Sequence, residues 1–354
     1  TIRIMNTLAT SNWYGNKDIK TKGYDGFVKT CERKGNIYDA EGSFPSISLF
    51  KEIATEIQIR SNTGKIIGGI ADTAWMPLAV KNKLDNFYIE NGDFLLAPNG
   101  TAANTNFGYN IPALNGAPLK NGILNFETDL PMNRYAQGVP LVRNPAYAGN
   151  KSLAQYIEGK THANAPDTPS ITVTVVAAPV AGSKWNAADV LDEANAASVV
   201  KYRVLAGNDK GRSIACAEVA SNLVVPAGGA IDVSITPAGT GQAATYFAIY
   251  RETKPGNGKF RLVTEVVNSG SPTVYQDVNE WRPGTDCIVI GQFDSQPNTL
   301  QRTYALYELL PMVNTKFPLS VANMRGLAGM VEYYGALIIN APMKFYTIKN
   351  IPVE

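Results

Sequence analysis

A chain of 354 residues, 45% hydrophobic and 18% charged, is long enough for two or three cored domains and sits on the low-charge side of globular proteins. A formal charge of +2 without a dense Lys/Arg run offers no grip for nucleic acid. No apolar stretch reaches the roughly 18 residues that a membrane span needs.

The opening TIRIMNTLAT lacks the charged start and apolar run of a secretory leader, so none is expected, and Thr1 in place of Met points to further sequence upstream. Residues 1–45 read as the end of a helix, a turn and a second helix. Asp25 is placed to cap that second helix, which carries Phe27, Val28 and Cys31, with Gly35 at its C-terminal stop. Leu49, Phe50, Ile53, Ala54 and Ile57 fall on one face of a further helix that ends before Gly64. From Ile70 to Tyr88 a strand ending at Ala74-Trp75-Met76 feeds a helix through Pro77, whose missing N–H costs nothing at a helix start; Val80, Leu84 and Phe87 then face one way. Residues 92–160 are rich in Gly, Asn and Pro and read as long surface or contact loops with short strands such as Gly122–Phe126.

The segment HANAPDTPS, His162–Ser170, is a linker, and beyond it the apolar period becomes two. ITVTVVAAP, KYRVLAGNDKGRS, AIDVSITPAG, YFAIYRET, FRLVTEVV and TVYQDV are short strands separated by turn residues, an antiparallel sandwich of fibronectin-III or immunoglobulin type that is expected to end near Ile290. The pattern does not continue past it, so the sandwich reads as an insertion. In the tail, Leu300, Tyr304 and Tyr307 recur at helical spacing until Pro311, which predicts a helix. Leu337-Ile338-Ile339 is a buried strand closed by Ala341-Pro342, and Phe345–Asn350 alternates as a last strand. Such a tail completes a core begun earlier in the chain.

Chemistry is sparse. Three scattered cysteines, Cys31, Cys216 and Cys287, without a C-x-x-C, read as reduced buried residues; a Cys216–Cys287 disulfide inside the sandwich is the alternative. The single histidine, His162, lies in a Pro-rich linker without partners for catalysis or metal ligation. No P-loop, G-x-S-x-G or G-x-G-x-x-G is present, and Asp18, Asp25, Asp39 and Glu41 read as turn acids. No catalytic residue, cofactor-binding residue or metal ligand is expected, and the chain is read as not an enzyme.

Several words carry a resemblance. NWYGN (Asn12–Asn16), YDGFVK (Tyr24–Lys29), NIYDAEG (Asn36–Gly42), the Trp75-Met76-Pro77 junction, LYELLPM (Leu306–Met312), YYGALIINAPMKF (Tyr333–Phe345) and YTIKNI (Tyr346–Ile351) occur in the order seen in major capsid proteins of large contractile-tailed bacteriophages. The chain resembles that family over nearly its whole length. The resemblance implies an α+β Hong Kong 97-type fold with axial and peripheral domains, interrupted by an immunoglobulin- or fibronectin-III-like sandwich. Its implied division is a peripheral part at residues 1–43, an axial part with long loops at 44–160, the inserted sandwich at 161–290 and a return segment at 291–354. The residues it marks as structural or assembly positions are Trp13, Tyr14, Gly15, Asp25, Gly26, Trp75, Met76, Pro77, Leu309, Leu310, Pro311, Tyr334, Gly335 and Pro342.

The implied function is a structural shell protein that self-assembles into pentamers and hexamers around phage DNA, which it encloses without sequence-specific binding. It would be built into the virion after assembly in the bacterial cytoplasm, with no membrane contact. Members of the family have a long N-terminal arm and spine helix before the aromatic-Gly word, where this chain has about a dozen residues. Thr1–Thr10 is therefore read as the end of the spine helix, and a chain or segment carrying the remainder is an expected partner, together with copies of itself and decoration proteins. The rival reading is a cell-surface adhesin or carbohydrate-binding protein that uses the sandwich for binding.

Overall fold

The computed structural model describes residues 10–19, 23–59, 61–62, 65–66, 70–90, 116–119, 122–133, 142–143, 156–157, 164–186, 199–221, 224–270, 272–293, 302–317 and 328–353. Helices α1 (Phe27–Lys34) and α2 (Ile47–Ile59) flank strand β1 (Ile37–Asp39); β2 (Thr73–Met76) leads into α3 (Leu78–Glu90), and β3 (Gly116–Leu119) and β4 (Gly122–Thr128) follow. Next come β5 (Ser170–Val176), β6 (Lys201–Gly207), β7 (Val219–Ala220), β8 (Ala230–Thr236), β9 (Tyr246–Glu252), β10 (Phe260–Val267) and β11 (Thr273–Asp277). The chain closes with β12 (Thr285–Gly291), β13 (Tyr304–Phe317), β14 (Ala328–Ile339) and β15 (Phe345–Pro352). The protein is mixed α and β, with most of its regular structure in sheets.

A six-stranded central sheet has the order β1-β15-β12-β2-β4-β3. β1 runs parallel to β15, β2 parallel to β4, and β12 is antiparallel to both of its neighbours. Side chains alternate across a pleated strand, so each strand supplies two different cores. Ala74, Met76, Leu124, Phe126, Ile288, Ile290, Tyr346 and Ile348 face one way and meet Phe50, Ile53 and Ile57 of α2 and Val80 and Leu84 of α3. Trp75, Cys287, Val289 and Phe345 face the other way, into a cluster with Trp13 and with Phe27, Val28 and Cys31 of α1. The expected faces of both helices are the buried ones.

Four strands in the order β7-β6-β9-β10 and three in the order β11-β8-β5 form a two-sheet sandwich. Val173, Tyr202, Val204, Ile231, Val233, Ile235, Phe247 and Ile249 fill its centre. At one end of this core lies a buried charge. Arg251 donates to Asp277 Oδ2 at 2.6 Å and to Asn279 Oδ1 at 2.6 Å, while Tyr202 OH donates to the same Asp277 oxygen at 2.7 Å. The Trp185 indole donates to the Asp277 carbonyl at 2.9 Å, and the guanidinium lies 4.5 Å from the centre of that ring. Burial, reinforced by the Asp277 charge, pushes the Tyr202 phenol well above its ordinary range.

Four expectations are corrected. Tyr304 and Tyr307 lie in β13, one strand of a long hairpin with β14, not in a helix. Pro311, expected to end a helix, sits where the register shifts between Leu310 and Val313; an irregularity is where a strand tolerates a residue without an N–H. The strand containing Ile290 belongs to the central sheet and not to the sandwich, whose last strand ends at Asp277. Gly26, not Asp25, caps α1, and it does so without a side-chain hydrogen bond. Gly35 does stop that helix, in the left-handed conformation at φ 69°. All three cysteines are free and buried, with Cys216 in the sandwich core and Cys287 in the other cluster, so the disulfide alternative fails.

Removing one partner of a buried ion pair leaves the other uncompensated. Arg251→Ala should therefore destabilise the protein by about 3–5 kcal/mol, read from the midpoint of denaturant unfolding.

Candidate assembly surface and its anchoring core

Six of the fourteen residues marked in the sequence, Trp13, Tyr14, Gly15, Gly26, Trp75 and Pro342, converge under the hairpin. Helical residues 10–14 end at Gly15, and the chain returns across itself at Gly26, whose N–H donates to the Gly15 carbonyl at 3.0 Å. A Cβ on Gly26 would meet Trp13 backbone atoms at 2.6 Å, and one on Gly15 would run into the Tyr24 and Ser11 carbonyls. Only two glycines let these backbones cross so closely. The crossing sends Trp13 and Tyr14 inward. The Trp13 indole donates to Asp129 Oδ2 at 2.6 Å, and Tyr14 OH donates to the Met132 carbonyl at 2.5 Å beside Asp286 and Cys287. Burial, then the neighbouring Asp286 charge, pushes the Cys287 thiol well above its ordinary value.

Around Trp13 the rings form a continuous cluster. Phe27 lies 5.3 Å from it and Trp75 6.0 Å, while Phe293 lies 5.2 Å from Phe27 and 5.1 Å from Phe345. Tyr304 at the base of the hairpin stands 5.4 Å from Phe27. Tilted and edge-on pairs of this kind add roughly 0.5–1.5 kcal/mol each beyond the area that they bury. Met76 faces the opposite core, with Pro77 between it and α3. Pro342 opens the short turn before β15, and its carbonyl accepts from Asn36 Nδ2 at 3.0 Å; the same amide donates to the Phe345 carbonyl.

Asp25 is elsewhere, in a surface pair with Arg33 at 2.9 Å that also draws in Asp18. Asp39 and Glu41 bind Lys184 at 3.0 and 2.9 Å. All four acids singled out in the sequence are thus neutralised by cations. Leu309, Leu310 and Pro311 lie on β13 near its two irregularities, with side chains outside the described residues; His162 lies outside them too. Among the described residues no group of three or more His, Cys, Asp and Glu could hold a metal, and no helix is long and apolar enough to cross a membrane.

Above its base the hairpin carries a different surface. Residues opposite each other on paired strands share a face. Tyr304, Ile339 and Leu337 face the aromatic cluster. Ala305 pairs with Ile338 and Tyr307 with Ala336, and Tyr334 follows on the same side of β14. Tyr307, Tyr334 and Ile338 are 55%, 57% and 45% exposed, which leaves an uncharged stripe on the outer face of the ribbon. Tyr334 was legible as a marked position. Tyr307, Phe293 and Asn350 were not singled out as site residues, and Ile338, expected in a fully buried strand, is exposed because alternate residues of the ribbon face outward.

Asn350 is the polar counterpart of the ring cluster. At φ 61° it adopts the left-handed conformation that Asn tolerates better than most residues. Its amide donates to Asp39 Oδ1 and to the Glu280 carbonyl, both at 2.8 Å, and accepts from the Arg282 N–H at 2.8 Å. Burial would raise the Asp39 carboxyl, but hydrogen bonds from Asn350, the Glu41 N–H and Lys184 outweigh it and hold the group below its ordinary 3.8.

No protein-family model matches the chain. It is 25% identical over 98% of its length to the major capsid protein of Staphylococcus phage S25-3 and, equally, to those of Staphylococcus phages S25-4 and K, and it covers 67% of each. The chain is a relative of phage major capsid proteins, as the words quoted above imply, and the adhesin alternative is not favoured.

Two outcomes are expected. Gly26→Ala should cost about 3 kcal/mol, the upper end of ordinary overpacking because the obstacle is backbone; thermal unfolding measures it. For Asp39 the folded pKa lies below the unfolded one, so the unfolded state takes up more protons in the acid range. Its stabilisation is present above about pH 3.8 and is lost as pH falls through the folded value. Asp39→Asn should flatten the drop in Tm that the parent shows below that pH.

Proposed function

We propose that this chain is a structural subunit of an icosahedral phage head, and that its copies form pentamers and hexamers around the packaged DNA. What carries the reading is the match to major capsid proteins along 98% of the chain. The exposed stripe of the β13–β14 ribbon supports it from the physical side. A two-stranded ribbon is marginal in water by itself, and this one is anchored at its base while its outer face offers Tyr307, Tyr334 and Ile338. An apolar stripe of that kind is what a contact surface requires. Head-to-tail contacts repeated around a ring turn a modest patch into a stable shell.

On this reading the fold is of Hong Kong 97 type. The central sheet with α2 and α3 supplies the axial part. Residues 10–34 and the ribbon supply the peripheral part, while β1 and β15 join it to the axial sheet, and the two-sheet unit between about residues 164 and 282 is the inserted immunoglobulin- or fibronectin-III-like domain. The marked residues Trp13, Tyr14, Gly15, Gly26, Trp75 and Pro342 serve assembly indirectly, by fixing the base of the ribbon. Further partners are a chain or segment with the arm and spine helix, and decoration proteins. Assembly takes place in the bacterial cytoplasm and the product resides in the virion, with no enzymatic step by this chain.

Negative-stain electron microscopy of the native material, with the intact mass of the chain, tests the proposal. Icosahedral particles built mainly of this chain are expected, and a Tyr307→Glu/Tyr334→Glu double variant should fold with unchanged circular dichroism yet form no particles. Native material containing only monomers and small oligomers would refute the shell reading, and shells from the double variant would refute the role of the ribbon.

A further inference from the structure

We infer that the sandwich is locked to the central sheet as one cooperative unit, a rigid arm and not a tethered domain. The lock begins in β10. Ile249 pairs with Thr264 and Tyr250 with Leu262, so Val263 is the extra residue of a β-bulge. A bulge re-aims the side chain of its unpaired residue. Here it turns Val263 away from the sandwich core, whose cluster does not include it, and into the ring cluster beneath the central sheet. Val263 is fully buried there, with Trp281, and Tyr275 of β11 packs against both cores. An apolar core shared in this way cannot open on one side alone without exposing surface on the other.

A polar path runs alongside it. The buried Arg251–Asp277 pair holds Asn279, whose amide donates to the Lys184 carbonyl at 3.3 Å. The Lys184 N–H in turn donates to the Val278 carbonyl at 2.9 Å, and its ammonium group reaches Asp39 at the end of β1. Asp39 accepts from Asn350 in β15. On the far side of the seam Lys349 of β15 binds Glu280 at 3.0 Å and lies 5.4 Å from the Trp281 ring centre. Three of these contacts cross the seam itself, Lys184 to Asp39, Lys349 to Glu280 and Lys349 to the Trp281 ring, and the others brace their ends within one unit or the other.

The lock is a property of the single chain and does not rest on the shell reading. If that reading holds, it gives the sandwich a fixed distance and angle from the shell, which suits bridging between neighbouring copies better than capture of a passing ligand.

Hydrogen exchange of the full-length chain tests it. In the parent, the slowest amides of β8 and of β12 and β15 should exchange at rates within about threefold of one another, as members of one opening unit do. Ile235→Val removes one methylene from the sandwich core, outside the shared cluster, and should accelerate both groups alike by roughly three- to tenfold. Acceleration of β8 with β12 and β15 unchanged overturns the lock. In a Val263→Thr background, the effect of Ile235→Val on β12 and β15 should shrink relative to its effect on β8; equal transmission in both backgrounds would show that Val263 is not the link.

Discussion

Strand β12 is buried at all seven of its positions, and that burial dictates much of the surrounding structure. A strand covered on both faces needs two separate apolar layers, and one in mid-sheet needs a hydrogen-bonding neighbour on each side. The chain meets these demands from far apart. Helices α2 and α3 cover one face; the rings of residues 13, 27, 293 and 345 cover the other. β2 and β15 supply the two edges. Gly291 at the end of β12 lies directly under the Phe345 ring, so a larger residue there would displace the cluster.

The regular parts of this arrangement were legible because burial imposes a period. Phe50, Ile53 and Ile57 mark α2, and the alternating residues of β6 and β9 mark the sandwich. The hairpin was not legible, for a physical reason. Two irregularities, around Leu310 and before Val313, reset the alternation of β13, and Tyr304 and Tyr307 happen to fall at a helical interval. Near its base the ribbon is also apolar on both faces, one for the ring cluster and one for the exposed stripe, so neither face stands out from the other there. Sheet membership of β12 was hidden in a similar way. A continuous run such as Cys287–Ile290 says that a strand is buried, but nothing local says in which sheet.

The site was half legible. Trp13, Gly15, Gly26 and Trp75 stood out as words, yet their reason appears only where the two backbones cross. Asn36 and Asn350 belong to quoted words too, and each bonds several backbone groups of distant segments. An Asn in a sequence reads as a turn residue, because the partners that make it a tether lie far along the chain, 306 and 309 positions from Asn36 and 70 and 68 from Asn350. Val263 gave no signal, since a bulge depends on how two strands register and not on either one alone.

β15 enters the central sheet between β1 and β12, and Asn36 reaches across 309 residues to bind the Phe345 carbonyl. Synthesis must therefore have passed Phe345 before the sheet can close. Until then β12 lacks one edge, Phe345 is missing from the ring cluster, and the base of the ribbon has no finished seat. A nascent chain that has not reached β15 therefore holds its ribbon only loosely. The order of synthesis thus acts as a clock: the exposed stripe of the ribbon gains its rigid seat only after β15 has joined the sheet.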